Sequence, residues 1–131
     1  MSLTEQLNQI YYLTKEKQMW EDRLRELPDI TAVRYDSIGV SNSGVSSPVQ
    51  QIAEQREKIR EIISAKLAEI SFVEREILEY ICSIDDSLMR QIMTHRHIEL
   101  KSWLQVANTI GGNNTADSVR MMHDRYLKEH Q

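Results

Sequence analysis

Four isoleucines, Ile63, Ile70, Ile77 and Ile84, stand seven residues apart in this chain, with Ile59, Val73 and Ile81 beside them. An apolar repeat of this period belongs to an α-helix, because about 3.6 residues per turn brings every seventh side chain back to nearly the same face. Glu54, Arg56, Glu57, Lys58, Arg60 and Glu61 fill the other sides, as expected of a helix with one wet face. Ser47-Pro48-Val49-Gln50 supplies the start: Ser47 can cap, Pro48 suits the first helical position, and Gln50 can reach back to the N–H of the cap. The run ends near Ser83. A helix over 48–84 is on the order of 50 Å long at about 1.5 Å per residue, too long for one small globule to cover. Its N-terminal half is expected to pair with the first helix, and its C-terminal half with the helical segments nearer the C-terminus. Whether the pairing lies within one chain or joins a homodimer through the long helices stays open at this point.

The first helix rests on the same period. Leu3, Ile10 and Leu24 keep the sevenfold spacing with Lys17 in the gap, and Leu13, Trp20 and Leu27 run parallel to them. The seam predicts a helix from about Thr4 to Leu27 within residues 1–27, stopped by Pro28, which pushes the residue before it out of helical geometry. The stretch 28–47, PDITAVRYDSIGVSNSGVSS, is rich in Ser and Gly and shows no sustained period. It reads as an extended connection, a linker first and a partner-contact strand second, since connections this long carry function or stay disordered.

Scarcity of aromatics (6%), four Gly and two Pro argue against a sandwich or barrel of many turns, and 40% hydrophobic residues suffice for a modest core. The fold class expected is all-α: an N-terminal helical hairpin or coiled coil joined to a C-terminal three-helix unit. The single cysteine, Cys82, has no internal partner and reads as a small buried apolar residue beside Ile81 and Ile84. MSLTEQLNQI lacks the basic start and apolar run of a secretory signal, and no window is apolar enough to cross a bilayer. A cytoplasmic location and no membrane contact are expected. The net charge of −4 counts against strong autonomous binding to phosphates, which draws on clustered Lys and Arg. The imbalance is local: fourteen acids face ten bases before Asp85, and six face six from there on, where all four histidines also lie.

Residues 85–131 carry the more specific pattern. Asp85 or Asp86 can cap a short helix bearing Leu88, Met89, Ile92 and Met93, and the segment breaks at His97-Ile98-Glu99-Leu100-Lys101. Ser102-Trp-Leu-Gln105 is a capping box opening a helix whose Trp103, Val106, Ala107 and Ile110 share one face. Gly111-Gly112-Asn113-Asn114 concentrates residues that tolerate positive φ, so the chain turns sharply, and Thr115 can cap the last helix. In that helix Val119, Met122, Tyr126 and Leu127 point back toward Trp103 and Ile110. Left outward are Ala116, Asp117, Ser118, Arg120, Met121, His123, Asp124 and Arg125, as in a helix-turn-helix whose second helix enters the major groove N-terminus first.

The run MRQIMTHRHIELKSWLQVANTIGGNNTADSVRMMHDRYLKEH resembles the promoter-reading C-terminal domain of bacterial sigma factors. The wider pattern, from about Arg34 to the C-terminus, is similar to small phage and prophage transcriptional regulators of the ArpU and RinA type. That resemblance implies packing roles for Trp103, Val106, Ala107, Ile110, Val119, Met122 and Leu127. It implies a DNA-facing set of Thr115, Ala116, Asp117, Ser118, Arg120 and Met121, flanked by Arg96, Lys101 and Arg125 as phosphate contacts. The turn is about two residues longer than the usual helix-turn-helix spacing, which re-angles the final helix.

Each candidate has a plainer alternative. Arg120 and Arg125 can contact phosphate or guanine, or simply solvate a helix face with Asp124 and Glu129. Asp117 and Ser118 serve the helix start as caps and dipole partners, the better reading for Asp117, since a carboxylate faces phosphates badly. His95 and His97, two apart and without a third close ligand, make a poor metal pair. No Gly-rich phosphate loop, activated nucleophile or paired-carboxylate arrangement stands out, so neither enzyme chemistry nor a cofactor is expected. The function expected is a DNA-binding, sigma-factor-like regulator of phage or prophage genes that reads double-stranded promoter DNA and acts with RNA polymerase. The alternative is a helical protein–protein interaction or phage assembly protein that keeps the terminal helices only as a structural unit.

Overall fold

The structure, a computed structural model, describes residues 2–28 and 47–131; the connection expected at 28–47 falls, apart from its two end residues, outside them. The protein is all-α. Among the described residues there are five α-helices, α1 (Leu3–Glu26), α2 (Pro48–Cys82), α3 (Ser87–Met93), α4 (Trp103–Ile110) and α5 (Ala116–Glu129), with a π-helical turn over Thr94–Ile98 and no strand. None of these helices is long and apolar enough to cross a membrane.

The helix boundaries have local causes. Ser2 and Glu5 cap α1 reciprocally: the Glu5 N–H donates to Ser2 Oγ at 3.2 Å and the Ser2 N–H to Glu5 Oε2 at 3.0 Å. α2 starts where Ser47 Oγ accepts from the Gln50 N–H at 3.1 Å. Only half of the expected box forms, because the Gln50 amide turns forward and donates to Glu54 Oε1 at 3.3 Å. Arg90 closes the other end of α2, its Nη1 donating to the carbonyls of Ile84 at 2.6 Å and Asp85 at 3.0 Å. Asp86, rather than Asp85, caps α3 by accepting from the Leu88 N–H.

The chain divides into two compact units that cut across the long helices. The first comprises residues 1–14 and 69–131. Its core joins Leu7, Ile10 and Leu13 of α1, Val73, Ile77 and Ile81 of α2, Ile84, Met89, Ile92 and Met93, and Val106, Ala107 and Val119 of the last two helices. Ile77, Ile92, Met93, Val106 and Val119 are fully buried, each worth about 1.5–3 kcal/mol of transfer free energy. α5 packs on α4 and α3, and the Tyr80 and Tyr126 hydroxyls, 2.7 Å apart, tie it to α2. Burial first and this hydrogen bond second push the Tyr126 pKa well up, so the phenol stays protonated.

The second unit, residues 15–68, holds the last half of α1 and the first half of α2. Among its described residues Ile59 is the one buried apolar side chain, with Trp20, Leu24, Ile62 and Ile63 half-buried. Lys66 reaches Glu16 at 3.4 Å. Contacts between α1 and α2 thus occur within one chain, in both units.

Cys82 is exposed, not buried as expected. The buried edge of α2 runs through Val73, Ile77 and Ile81, and the next residue along a helix lies about 100° around the axis from Ile81.

Candidate nucleic-acid interface

The helix expected to face DNA is positioned by a turn with little freedom. α4 opens on a reciprocal capping box, Ser102 with Gln105, and ends at Gly111, whose φ of 78° and ψ of −158° form a combination open almost only to glycine. Gly112 comes next at φ 67°. The Asn114 amide donates to the Gly111 carbonyl at 2.9 Å, and Thr115 then begins α5 with a second capping box: its Oγ1 accepts from the Ser118 N–H and its N–H donates to Ser118 Oγ at 2.8 Å.

Capping settles where two of the expected groups stand. Thr115 and Ser118 spend their hydroxyls on each other's backbone, and Ser118 and Ala116 are half-buried. The exposed residues of α5 are Asp117, Arg120, Met121, Asp124, Arg125, Lys128 and Glu129. Met121 is 57% exposed, and Arg120 Nη2 lies 3.7 Å from Asp117 Oδ1, an exposed pair of little energetic weight. Lys128 is absent from the set expected from sequence, although it stands three residues after Arg125 and seven after Met121 and so shares their face.

Two of the three cations expected to flank the helix, Arg96 and Lys101, are already engaged, while Arg125 stands exposed. The Arg96 guanidinium lies over the Trp103 ring at 4.4 Å and donates to the Lys101 carbonyl at 2.9 Å, so it acts as a brace. Lys101 Nζ stands 2.7 Å from Glu99 and 3.4 Å from Thr109 Oγ1. That lysine is the main reason the Glu99 carboxyl is held below the usual carboxylate range. Of the six bases from Asp85 onward, then, Arg120, Arg125 and Lys128 present exposed charge on α5, whereas Arg90, Arg96 and Lys101 hold local structure.

The largest departure from expectation is His123, expected outward but only 5% exposed. Its Nε2 meets His97 Nε2 at 2.7 Å, and its Nδ1 meets Asp124 Oδ1 at 3.0 Å. A carboxylate only accepts, so His123 Nδ1 carries the proton given to Asp124, His123 Nε2 is the acceptor, and His97 donates through Nε2. Burial above all, with His123 and Arg96 adding positive repulsion, pushes the His97 pKa down to about 3. Burial also lowers that of His123, partly opposed by Asp124. Both rings are therefore neutral at pH 7. Trp103 packs edge-on against His123 at 4.8 Å, completing a row in which Arg96, Trp103, His123 and His97 fix the inner side of α5.

The π-helical turn makes this row reachable. The Glu99 N–H donates to the Thr94 carbonyl five residues back and the Lys101 N–H to the His95 carbonyl, while Leu100 closes the turn at φ 54°, a position usually given to glycine. His95 turns away from His97 and places Nδ1 3.2 Å from Glu99. Among the described residues no three His, Cys, Asp or Glu side chains group as metal ligands do.

Comparison with protein-family models, with curated proteins and with solved structures found no match to this chain.

Proposed function

We propose that the protein reads double-stranded promoter DNA through the outer face of α5, as a sigma-factor-like regulator of phage or prophage genes. The observation that carries this reading is the division of α5 into a locked inner side and an open outer strip. Val119 and His123 are buried, while Arg120, Met121, Arg125 and Lys128 stand in solvent behind a sharp, doubly capped turn. Arginine suits guanine O6 and N7, and an apolar side chain such as Met121 suits the thymine methyl group in the major groove. Three exposed cations on the helix give a weak electrostatic grip, with a salt slope of about −3 at most. Much of the affinity must then come from a second surface, and RNA polymerase is the partner that the sigma-like sequence suggests.

The test is a mobility-shift series against promoter fragments with and without RNA polymerase, at several salt concentrations. Binding should weaken as salt rises, and Arg120→Ala or Arg125→Ala should each cost about 1–3 kcal/mol, roughly 5- to 150-fold. Binding indifferent to both salt and these changes sinks the reading. An interaction or assembly protein is then favoured by a different observation: Phe72, the only phenylalanine in the chain, is 64% exposed on α2.

A further inference from the structure

Between α1 and the π-helical turn the first compact unit holds a cavity of about 240 Å³. Leu7, Asn8, Tyr11 and Tyr12 line it from α1, and Arg96, His97 and Leu100 from the turn and its close. Arg96 brings the one charge of this lining, with no carboxylate beside it there to neutralise it. Bracing Trp103 and the Lys101 carbonyl takes up one face and one N–H of the guanidinium, and its other N–H groups remain to donate. His97 gives its Nε2 proton to His123 and is kept neutral by burial, so its Nδ1 is a bare acceptor. Among the described residues no protein hydrogen bond engages that Nδ1, the Asn8 side-chain amide or the Tyr12 hydroxyl. Tyr11 and Tyr12 are exposed, their rings edge-on and 5.4 Å apart, while Leu7 is buried, so the cavity has an aromatic rim and an apolar floor.

We infer that this cavity binds a small aromatic hydroxy acid, with its carboxylate on Arg96, its hydroxyl donating to His97 Nδ1 and its ring beside the two tyrosines. Apolar walls with a few convergent polar groups are the usual make-up of a small-molecule site, and pockets for drug-sized ligands start at about 300 Å³, so this one suits a single substituted ring. A guanidinium pairs strongly with a carboxylate, and a third ring meets an edge-on aromatic pair offset or edge-to-face. Simpler occupants fit less well. An inorganic anion answers Arg96 but leaves Leu7, Leu100 and the rings uncovered, and a neutral ring leaves the guanidinium without a counter-charge. Because Arg96 and His97 also hold Trp103 and His123, a bound acid stabilises the first unit by mass action. The site does not depend on α5 touching DNA.

The test is an NMR titration of the full chain with 3- and 4-hydroxybenzoate. One of the two should shift the signals of Asn8, Tyr12, Arg96 and His97 saturably. Benzoate, which lacks the hydroxyl, should bind about 2- to 10-fold more weakly, and the matching hydroxybenzamide, which lacks the charge, about tenfold more weakly or worse. Asn8→Asp sets a carboxylate in the lining at an exposed position of α1 and should weaken hydroxybenzoate about tenfold, with helix content by circular dichroism unchanged. Absence of saturable shifts at these residues overturns the inference, as does equal affinity for the acid and its amide, or undiminished binding to the Asn8→Asp chain. Benzoate binding as tightly as hydroxybenzoate overturns the contact with His97 and the choice of a hydroxy acid. Should the shifts appear and mobility shifts with promoter DNA fail, the DNA reading falls and this site stands.

Discussion

Ile63 and Ile77 occupy equivalent places in the same sevenfold repeat of the same helix, yet Ile77 is fully buried and Ile63 is only half-buried. The difference lies in their neighbours. Around Ile77 the first unit gathers side chains from α1, α3, α4 and α5, whereas the second unit, among its described residues, offers α1 and α2 alone. A repeat therefore specifies which side of a helix is apolar, and the chain elsewhere decides how much of that side is removed from water.

The largest test of this contrast is a pair of matched truncations. Ile77→Ala should cost about 2–5 kcal/mol, with the higher end reached if the close-packed surroundings fail to collapse, and Ile63→Ala clearly less. Urea unfolding of the two variants measures both, and equal losses would erase the distinction between the units.

Acid should separate the units next. Unfolded histidine takes up a proton near pH 6.5, but folded His97 resists down to about pH 3. Between these values the unfolded chain binds more protons, so stability is fully present above about pH 6.5 and is lost as the pH falls toward 3. At pH 4.5 the loss from His97 should be on the order of 2–3 kcal/mol. Every histidine lies in the first unit, and each unit holds one tryptophan, Trp103 in the first and Trp20 in the second. In Trp20→Phe and Trp103→Phe chains, fluorescence should report earlier acid unfolding from Trp103 than from Trp20. Coincident transitions would mean that the two units melt as one.

A smaller effect tests the turn of the first unit. A Cβ at position 111 meets nothing within 4 Å, so Gly111→Ala should lose about 1–3 kcal/mol through backbone conformation alone. An unchanged urea midpoint would show that the turn can be rebuilt. Smallest of all, Glu16→Gln in the second unit removes a partly exposed partner of Lys66 and should change stability by no more than about 1 kcal/mol, measured in the same way.

How much of the fold is legible in the sequence depends on the range of the forces involved. Pro28, Ser47, Ser102, Thr115 and the glycine pair act on residues within a turn of themselves, and the helix limits they imply agree with the structure to within about two residues. His123 escapes that kind of reading because its partner is His97, twenty-six residues away, and a polar side chain is assigned to water by default. A signal is present all the same: His123 stands four residues after Val119 and four before Leu127, on the apolar edge. Charge alone points Arg96 and Lys101 toward phosphate, and nothing local foretells that Trp103 and Glu99 engage them. For Cys82 the neighbours in sequence mislead, and its direction around the helix is the informative quantity.

The wide turn at Thr94–Ile98 amounts to a single extra residue lodged in a helix, and its length is what lets the imidazole at 97 confront the one at 123. Excising one residue there would restore ordinary winding and swing everything downstream by about 100°. The ring at 123 would then be stranded in the interior with no donor opposite, and the last helix would lose its alignment although none of its own residues had changed.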